Sequence, residues 1–435
     1  MQKKQDKTNL VWFRNDLRTQ DNAVLYNACK SSTKVIGIYF LDPRHFEITK
    51  HGFKKTEKYR SQFVLETLAN LKANLNQLNI DLLVYFERPE VTIPEVCKTF
   101  NVHHIFFQTE WTAEEINVEK AVKSKLPNIS FTSVYNQFLY HPEDITIAVK
   151  NIPQVFTVFR KKLEKYIKIR ETLTIEKRSV NNRIENPTNI PTLQDLGFNN
   201  FETHTHSAFP FNGGETEALQ RLEDYFFKTK KLGFYKKTRN GLVGKDYSSK
   251  FSPWLANGSI SARTIYFKIK QFENQHFKNE STYWLIFELI WRDYFKYVSL
   301  KHGNQIFKLE GILQKDYDWS SNQTHIQNWM NGEKASEFVN ANMIELKETG
   351  WMSNRGRQNV ASYFAKSLEL DWRIGAAYFE SLLIDYDVHS NYGNWMYVAG
   401  VGSDPRDRKF NVELQAERYD ANRKFRSLWL QPSLF

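Results

Sequence analysis

The spacing of hydrophobic residues changes once along this chain, and that change limits the fold more than any other feature. From Asn9 to about Pro142, short β-branched or aromatic runs alternate with helical stretches, a pattern typical of a doubly wound parallel sheet. The predicted strands are 10–13, 35–40, 82–86, 105–107 and 131–134, and the predicted helices between them include 56–78 and 113–126. From Gly213 onward, apolar residues recur every three or four positions, as in 216–230, 262–274, 281–301 and 359–368. The sequence therefore predicts an α/β domain over 1–142, a surface connector over 143–212 and an all-helical domain over 213–435.

A parallel sheet offers a ligand crevice at the carboxyl ends of its strands. Arg14, Asn15, Asp16 and Arg18 follow the first predicted strand and are expected at that edge. The sequence contains no G-x-G-x-x-G, G-x-x-x-x-G-K-[ST], H-E-x-x-H or C-x-x-C motif. It therefore argues against a dinucleotide oxidoreductase, an NTPase and a zinc hydrolase.

The composition is basic and rich in aromatic residues. A formal net charge of +11 and an isoelectric point of about 9.2 fit a polyanionic partner, since Lys and Arg release counterions from phosphates. Much of the excess lies in lysine pairs at 161–162, 230–231 and 236–237, which fit a solvated surface equally well. Aromatic residues make up 15% of the chain, more than packing normally requires, which predicts that some rings stack on bases or a cofactor or carry electrons.

Cysteine usage and hydropathy indicate a soluble, cytoplasmic protein. Cys29 and Cys97 are the only cysteines in the sequence, which argues against a disulfide framework and for a reducing compartment. The first nine residues are polar, and no later run is apolar for long enough to cross a bilayer. We therefore expect no contact with a membrane.

Residues 247–253 (Tyr-Ser-Ser-Lys-Phe-Ser-Pro) concentrate hydroxyl and backbone N–H groups just before a helical stretch. Such a segment can hold a phosphate. A serine-rich loop with a helix N-cap is the more common meaning of this pattern when it stands alone. The segment by itself leaves both interpretations open.

Four residues of the predicted helix 281–301 fall on one stripe, namely Glu288, Trp291, Arg292 and Phe295. A carboxylate, an indole and a guanidinium then share one apolar surface. The alternative is an exposed Glu288–Arg292 ion pair beside core aromatics, worth only ~0.3 to 0.5 kcal/mol. The apolar surroundings weaken that alternative, because an unpartnered charge is costly there.

The stretch 351–395 combines indoles with guanidinium, amide and carboxylate groups. Residues 351–359 are predicted to begin a helix with Arg355 and Arg357 near its N-terminus, where fixed donors can meet a phosphate or an anionic ring system. Asp385 and Asp387 stand two apart and raise a metal or hydrolase hypothesis. His389 is the only further ligand at a usual spacing, so no metal site is predicted.

Several of these segments occur together in the order found in one family. The run 350–357, the Asp385-x-Asp387-x-x-x-Asn391-x-x-x-Trp395 pattern, the segment 247–252 and Trp291-Arg292-Asp293 resemble the photolyase/cryptochrome family over nearly the whole chain. The motif Asn-Arg-Gly-Arg-Gln-Asn at 354–359 is similar to the sequence of its DASH branch. The resemblance implies a Rossmann-like antenna domain, a connector and a helical domain that holds FAD in a folded shape.

The resemblance also assigns the cofactor residues by position. Those expected around the FAD phosphates and ribityl chain are Tyr235, Ser248, Ser249, Lys250, Phe251 and Ser252. Arg357 would pair with Asp385 beside the isoalloxazine, and Asp387 would hold the polar edge of that ring. Asn391 would face flavin N5, where an amide adds no negative charge beside a reduced anionic flavin. This favours a reduced state that is competent for repair.

In this family three tryptophans carry an electron from the surface to the photoexcited flavin, and Trp395, Trp372 and Trp319 match them. Simple packing of three indoles is the alternative. The reduced flavin then donates one electron to a cyclobutane pyrimidine dimer, the ring splits and the electron returns. The resemblance thus implies a deoxyribodipyrimidine photo-lyase that flips the dimer out of the strand and excludes water around it.

The residues around the dimer follow from the same resemblance. The residues that match the family's dimer-pocket positions are Glu288, Trp291, Asn354 and Gln358. The residues expected at the DNA backbone are Arg239, Arg292, Arg355 and Gln415. Glu288 joins Asn391 and the three tryptophans as a catalytic candidate. Gln358 and Tyr397 replace the Met and Trp of other photolyases, and this less apolar pocket predicts a preference for dimers in single-stranded DNA.

Two further positions bear on the resemblance. Residues 335–340 stand where a Gly-aromatic-Pro-x-x-Asp pattern is usual, so we expect the turn that leads into a helix at 341–347 to be built differently. Glu110 stands where the family carries its folate-binding acidic residue, which predicts 5,10-methenyltetrahydrofolate as the antenna chromophore.

Two other functions fit parts of the sequence. A blue-light photoreceptor that binds FAD and DNA but signals instead of repairing would share the pocket residues. The short segment after Trp429 favours the enzyme, since signalling extensions need additional chain. A basic nucleic-acid-binding module without a cofactor would be colourless. The expected partner is DNA that contains pyrimidine dimers, bound by a monomer.

Overall fold

The structure is a computed structural model that describes residues 7–31 and 34–430. In this part of the chain, five strands form one sheet in the order β3-β2-β1-β4-β5. The strands are β1 (Thr8–Trp12), β2 (Lys34–Phe40), β3 (Leu82–Tyr85), β4 (Val102–Gln108) and β5 (Ser130–Val134). All neighbouring strands are parallel, which confirms the predicted α/β domain.

Helices cover both faces of this sheet. They are α1 (Ala23–Ser31), α2 (Lys58–Gln77), α3 (Pro89–Thr99) and α4 (Ala113–Ser124). Successive strand residues point to opposite faces, so β1 sends Val11 into the core with α1 and α2, and Leu10 and Trp12 into the core with α3 and α4. Because both faces are buried, the strands are almost continuously apolar.

The predicted connector contains a helix that the sequence analysis missed. This helix, α5 (Phe156–Tyr166), buries Phe156, Phe159 and Leu163 in a core of the helical domain. These three apolar residues have helical spacing, but the lysines and other polar residues between and around them make the pattern weak in the sequence. The segment 143–212 therefore contributes to a hydrophobic core and does not only connect the two domains.

Further along, the same segment follows the outer edge of β3. Asn186 Nδ2 donates a hydrogen bond to the Leu82 carbonyl at 2.8 Å, and the Val84 N–H donates to Thr188 Oγ1 at 3.0 Å. Side chains thereby satisfy backbone groups that an edge strand would otherwise leave open to another chain.

The rest of the described chain is mostly helical, which confirms the second predicted fold class. Its helices are α6 (Glu215–Glu223), α7 (Tyr235–Thr238), α8 (Ser252–Ala256), α9 (Ala262–Gln275), α10 (Glu280–His302), α11 (Gln323–Asn331), α12 (Glu337–Thr349), α13 (Asn354–Ser362), α14 (Trp372–Leu382), α15 (Val388–Ala399), α16 (Val412–Tyr419) and α17 (Lys424–Leu430). One core surrounds α9 and α10, and a second surrounds α12, α14 and α15. No described helix is long and apolar enough to span a membrane.

The segment 335–340 forms the start of a helix. α12 begins at Glu337, four residues before the predicted start, and Ser336 is its N-cap. Ser336 Oγ accepts the N–H of Val339 at 3.4 Å, and the Asn340 side chain bonds to the backbone N–H and carbonyl of Ala335. The predicted helix start at Ala341 is therefore wrong, because a serine cap begins the helix four residues earlier.

Candidate functional site

Two adjoining cavities lie beside α10, α13 and α15. One of about 260 Å³ is lined by residues 247–252 and is called the serine cavity here. The other, of about 490 Å³, is lined by Trp291 and Trp395 and is called the tryptophan cavity. The residues that line both are Arg239, Glu288, Arg292, Asn354, Arg357, Asp385, Asp387 and Ser390. The two cavities thus share one polar wall.

The predicted phosphate-binding residues come together in the serine cavity. All six line it: Tyr235, Ser248, Ser249, Lys250, Phe251 and Ser252. Lys250 differs from its neighbours because its backbone is left-handed, with φ of 65°. Its buried ammonium lies 3.3 Å from the ring centroid of Tyr247 and 4.5 Å from that of Trp351. This position fits support of the loop better than contact with a phosphate.

A buried carboxylic acid accompanies this lysine. Glu345 is almost completely buried, and its Oε2 has no hydrogen-bond partner in the described part of the chain. Burial raises the pKa of Glu345 to about 8, although the charges of Lys250 and Arg357 oppose the shift. Burial likewise lowers the pKa of Lys250 well below its ordinary value. Sequence analysis could not find this pair, because its members lie on different elements.

Two acidic residues of the shared wall are each held by a cation. Arg357 Nη2 donates to both carboxylate oxygens of Asp385, at 2.9 and 3.0 Å. Lys296 Nζ donates to Asp387 Oδ2 at 2.8 Å, and Asp387 also caps α15 by accepting the N–H of Ser390 at 2.8 Å. Burial, the largest single influence, would raise the pKa of Asp387, but Lys296, His389 and Arg292 together outweigh it and hold that pKa far below its ordinary value. Asp387 is therefore ionised.

Lys296 is a site residue that the sequence analysis missed. It lies four residues after Arg292, on the same stripe of α10 as Glu288 and Arg292. Extending that stripe by one turn would have found it. It is buried, so its charge must be satisfied inside the protein, and Asp387 does this.

The amide of Asn391 is fixed on the wall of the tryptophan cavity. Its Nδ2 donates to the Ala376 carbonyl of α14 at 3.0 Å. Trp395, one turn further along α15, lines the same cavity and lies against Gly375 of α14. A Cβ at Gly375 would stand 2.3 Å from Cη2 of the indole, so the close approach of the two helices depends on glycine there.

The three predicted electron-transfer tryptophans differ in exposure, since Trp395 lines the cavity, Trp372 is buried and Trp319 is half-buried. Trp372 is buried on α14, one turn before Gly375, and its Nε1 donates to the Leu309 carbonyl at 3.0 Å. Trp319 is half-buried, and the residue after it, Ser320, pairs through its backbone with Glu369 and Asp371. Trp329 is a further indole that the sequence analysis did not consider, with its ring 6.2 Å from that of Trp395.

The predicted dimer-pocket residues line the tryptophan cavity together: Glu288, Trp291, Asn354, Gln358 and Tyr397. The rings of Trp291 and Tyr397 lie 6.1 Å apart with their planes at 88°, so they form two walls at a right angle. Phe156 of α5 stacks on Trp291 with 3.7 Å between ring centroids. The sequence analysis missed this support because it did not predict α5.

The predicted DNA-backbone residues have different partners within the protein. Arg355 bonds to Gln358 at 3.0 Å and Gln415 at 3.4 Å, and it also bonds to Asn240, which was not predicted. Arg239 forms an ion pair with Glu288, so the expected alternative of a Glu288–Arg292 surface pair is wrong. Burial raises the pKa of Glu288, and the guanidinium of Arg239 opposes that shift.

Arg292 is engaged by the protein. Its Nη1 donates to the Gln137 carbonyl at 2.5 Å and its Nη2 to the Leu255 carbonyl at 2.9 Å. These contacts join the sheet domain to the helical domain. A contact between Arg292 and a DNA phosphate stays a prediction.

A third cavity of about 380 Å³ opens at the carboxyl ends of the strands, between the sheet and the helical domain. Of the four residues expected there after β1, Asn15 lines it, whereas the Arg14 guanidinium lies over the Trp12 ring. Glu110 also lines it and accepts a hydrogen bond from Gln108 Nε2 at 2.7 Å. Burial raises the pKa of Glu110 to about 7.

Asp16 and Arg18 are buried away from this third cavity. Arg18 donates to the carbonyls of Gly258 and Asn136, and Asp16 accepts the N–H of Arg14 at 2.9 Å. Their expected place in the crevice is wrong, because both are used to hold the chain after β1. His389, the one further metal-ligand candidate, stacks on Trp111 at 4.4 Å.

Known proteins share this fold. Residues 9–177 match the family model described as DNA photolyase, and residues 284–434 match that of the FAD binding domain of DNA photolyase. A cryptochrome DASH from Gloeobacter violaceus is 44% identical over 427 residues, which cover 98% of this chain and 85% of the relative. The chain belongs to the photolyase/cryptochrome family, in its DASH branch.

Two further relatives support this assignment. The crystal structure of a Synechocystis cryptochrome is 44% identical and superposes with a TM-score of 0.93, covering 98% of this chain and 88% of that one. A rice protein named cryptochrome DASH, chloroplastic/mitochondrial, is 41% identical over 446 residues, covering 97% of this chain and 76% of the relative. The predicted cytoplasmic location of this DASH-branch protein stays a prediction.

Proposed function

We propose that this protein is a light-driven DNA-repair enzyme that splits cyclobutane pyrimidine dimers with bound FAD and prefers dimers in single-stranded DNA. The observation that carries the proposal is the pair of cavities with one shared polar wall. A cofactor in the serine cavity and an extruded dimer in the tryptophan cavity would be neighbours. When bound and reduced, FAD supplies the electron for ring opening after it absorbs blue light.

The residues of the serine cavity fit this cofactor. Its serine hydroxyls and backbone N–H groups suit phosphates, and the Arg357–Asp385 pair presents a donor and an acceptor to a polar ring. Asp387 stays ionised and can accept a hydrogen bond from the ring edge, because Lys296 balances its charge. Asn391 is oriented by Ala376 and leaves its carbonyl oxygen and one amide hydrogen for the cofactor.

The tryptophan cavity suits an extruded dimer. Trp291 and Tyr397 offer two perpendicular ring faces, to which the two pyrimidines of a dimer can stack. The Glu288 carboxyl group, which Arg239 holds on the shared wall, can hydrogen-bond to a pyrimidine of the dimer. Asn354 and Gln358 supply further polar contacts on the same wall. The protein thus binds and orients the dimer and excludes water, while no side chain acts as a nucleophile.

A preference for single strands follows from the polarity of this cavity. Arg355 holds the Gln358 side chain, and the Arg408 guanidinium donates to the Tyr397 hydroxyl at 2.8 Å. A pocket with these polar groups gains less from receiving an extruded dimer than an apolar pocket does. It therefore offsets less of the cost of breaking duplex stacking, which a single strand does not impose.

The third cavity is the proposed antenna site. Glu110 is buried in it and, with a pKa of about 7, can either donate or accept a hydrogen bond to a pterin ring near neutral pH. We propose 5,10-methenyltetrahydrofolate as the occupant. Chromophores released by denaturing the purified protein identify it by their absorption, and release of flavin alone would contradict a folate antenna.

The decisive experiment measures dimer loss from a single-stranded oligonucleotide that contains one thymine dimer. We expect loss in blue light, none in darkness, and slower repair of the same dimer in a duplex. Asn391→Asp should slow repair strongly, because a carboxylate adds negative charge beside the reduced ring. Equal rates on single strands and duplex would contradict the strand preference.

A blue-light photoreceptor is the second candidate, and it is favoured because the relatives are named cryptochromes. It would use the same serine cavity to bind FAD. A yellow protein that binds dimer-containing DNA but leaves the dimer intact in light would contradict repair and support this candidate. A colourless protein would contradict both.

A further inference from the structure

The exposed side of α10 continues outward from the tryptophan cavity as an aromatic stripe. Trp284, Phe287 and Trp291 succeed one another at spacings of three and four, and all three are half-buried. The rings of Trp284 and Phe287 stack with 4.7 Å between centroids and 27° between planes. Phe287 lines the cavity, whereas Trp284 lies beyond it. The stripe therefore leads from the cavity to the protein surface.

Cations lie over this stripe from the side of α7. Lys236 Nζ is 4.5 Å from the ring centroid of Trp284, and the Arg239 guanidinium is 5.9 Å from it. Glu280 pairs with Lys236, but Lys237 of the same helix is exposed and has no ion-pair partner in the described part of the chain. This side of the stripe therefore keeps excess positive charge.

α5 supplies cations from the opposite side. It runs along α10 because Phe156 stacks on Trp291 and Arg160 bonds to the hydroxyl of Tyr283. The Arg160 guanidinium lies 5.5 Å from the ring centroid of Phe287.

Most of the charge of α5 is unbalanced. The helix carries four basic residues and one acidic residue, Glu164, which Arg160 holds at 2.7 Å. Lys161 and Lys162 are exposed and without an ion-pair partner in the regions that the structure describes. Single-stranded nucleic acid binds to stacked rings flanked by cationic side chains, because its bases stack on the rings and its phosphates bind the cations.

We propose that Trp284 and Phe287 form a stacking platform for an unpaired base next to the dimer on the same DNA strand. The inference rests on the dimer-binding function proposed above. The cations of α5 and α7 hold the phosphates of this flanking strand. A base in a duplex is already stacked and paired, so the platform favours single strands over duplexes independently of pocket polarity.

The test compares two ligands of the holoprotein in equilibrium binding by competition. One is a single-stranded oligonucleotide with a central thymine dimer and several thymidines on each side, and the other is the isolated dimer dinucleotide. The variant Trp284→Leu, which leaves the cavity-lining Phe287 in place, should bind the flanked strand roughly tenfold more weakly, the factor expected for loss of one stacked base. Its affinity for the dinucleotide should not change.

The matched control removes a half-buried aromatic pair elsewhere. Tyr266 and Phe267 of α9 contact each other at 5.3 Å between centroids, and Lys270 lies near the Tyr266 ring. Neither lines the serine or tryptophan cavity. The variant Tyr266→Leu/Phe267→Leu should keep the parent affinity for both ligands, and Trp284→Phe, which keeps an aromatic ring, should do the same.

The outcomes separate the two proposals. Unchanged binding of the flanked strand by the Trp284→Leu variant overturns the platform, and an equal loss on the dinucleotide overturns it by making Trp284 part of the dimer pocket. A parent protein that binds neither ligand contradicts the proposed function instead.

A second measurement needs no variant and therefore decides even if the leucine variant does not fold. A 2-aminopurine beside the dimer should lose fluorescence when the parent protein binds, because it stacks on the platform, and one placed several nucleotides away should not. Absence of quenching at every neighbouring position contradicts the inference.

Discussion

At the scale of single residues, two buried carboxyl groups behave in opposite ways because one has a cation at hydrogen-bond distance and the other does not. Asp387 has the Lys296 ammonium at 2.8 Å, and its pKa is held low. Glu345 is more completely buried, Lys250 acts on it only at longer range, and its pKa rises to about 8. The sequence predicted Asp387 from its motif. It could not predict the state of Glu345, because that depends on a lysine 95 positions away whose place the fold decides.

We therefore expect stability to fall with rising pH because of Glu345. Folding raises the pKa of Glu345 from 4.5 to about 8, so between these values the folded protein holds a proton that the unfolded chain releases. The free energy of unfolding then decreases as pH rises through that interval, by about 1.4 kcal/mol per pKa unit at most. In Glu345→Gln this contribution should disappear, as urea unfolding at about pH 5 and about pH 8 measures.

The matched control is Glu348→Gln, an exposed carboxyl on the same helix. Its pH dependence should follow that of the parent. A parent and a Glu345→Gln variant with the same pH dependence would contradict the assignment.

A second residue-scale prediction concerns the route of the electron. Trp372 stands one turn before Gly375, which contacts Trp395, whereas Trp329 is enclosed in the core beside Tyr378. We expect Trp372→Phe to slow photoreduction of the oxidised flavin by an external reductant at least tenfold, measured as bleaching of the flavin absorption. Trp329→Phe, which replaces a buried indole with its ring 6.2 Å from that of Trp395, should leave the rate close to that of the parent. The reverse ranking would assign the route to Trp329.

At the scale of elements, the site depends on how closely helices approach. α14 and α15 meet where Gly375 faces the indole of Trp395. α5 reaches Trp291 through Phe156. The sequence predicted α10 and the α13 region because their apolar spacing is long and regular. It missed α5, whose helix is short and whose stability comes from packing against α10.

Gly375→Ala tests the close approach. Alanine favours a helix over glycine by about 1 kcal/mol, but its Cβ would stand 2.3, 2.7 and 2.9 Å from three ring carbons of Trp395. Overpacking should win, and the free energy of unfolding should fall by roughly 1 to 3 kcal/mol. Phenylalanine lacks the outer indole ring, so the same change in a Trp395→Phe background should cost much less. Additive costs in this double-mutant cycle would rule out the contact as the cause.

At the scale of the whole molecule, one carboxylate connects all three predicted segments. Asp21 of the sheet domain accepts the N–H of Leu173 at 3.1 Å, the Ser261 hydroxyl at 2.5 Å, and the Arg263 guanidinium at 2.6 and 3.0 Å. The sequence predicted both fold classes and most of the strands. It gave no sign of this junction, because ion pairs between distant segments leave no periodic pattern. The division at 142 and 213 stays a proposal.

Asp21→Asn should therefore destabilise the whole protein. Asparagine tolerates the left-handed backbone at this position, where φ is 52°, but it removes the charge and places an NH2 group where a carboxylate oxygen accepted two hydrogen bonds. It leaves the buried guanidinium of Arg263 without a counterion, and we expect a loss of about 3 kcal/mol in the free energy of unfolding. Glu337→Gln, which breaks the exposed pair with Arg423, should cost less than about 1 kcal/mol. Similar losses in both variants would contradict a special role of the junction.

Arg292 and Asp387 line the serine cavity, the tryptophan cavity and the cavity at the strand ends. In evolutionary terms, we expect these two positions to vary little, since a replacement there would disturb the proposed pigment, cofactor and lesion sites at once. Adaptation to a new light-harvesting pigment has more room on the sheet side, where Tyr39, His45 and Glu114 face only the cavity at the strand ends. Spectral tuning and lesion choice can thus diverge separately in descendants of this chain.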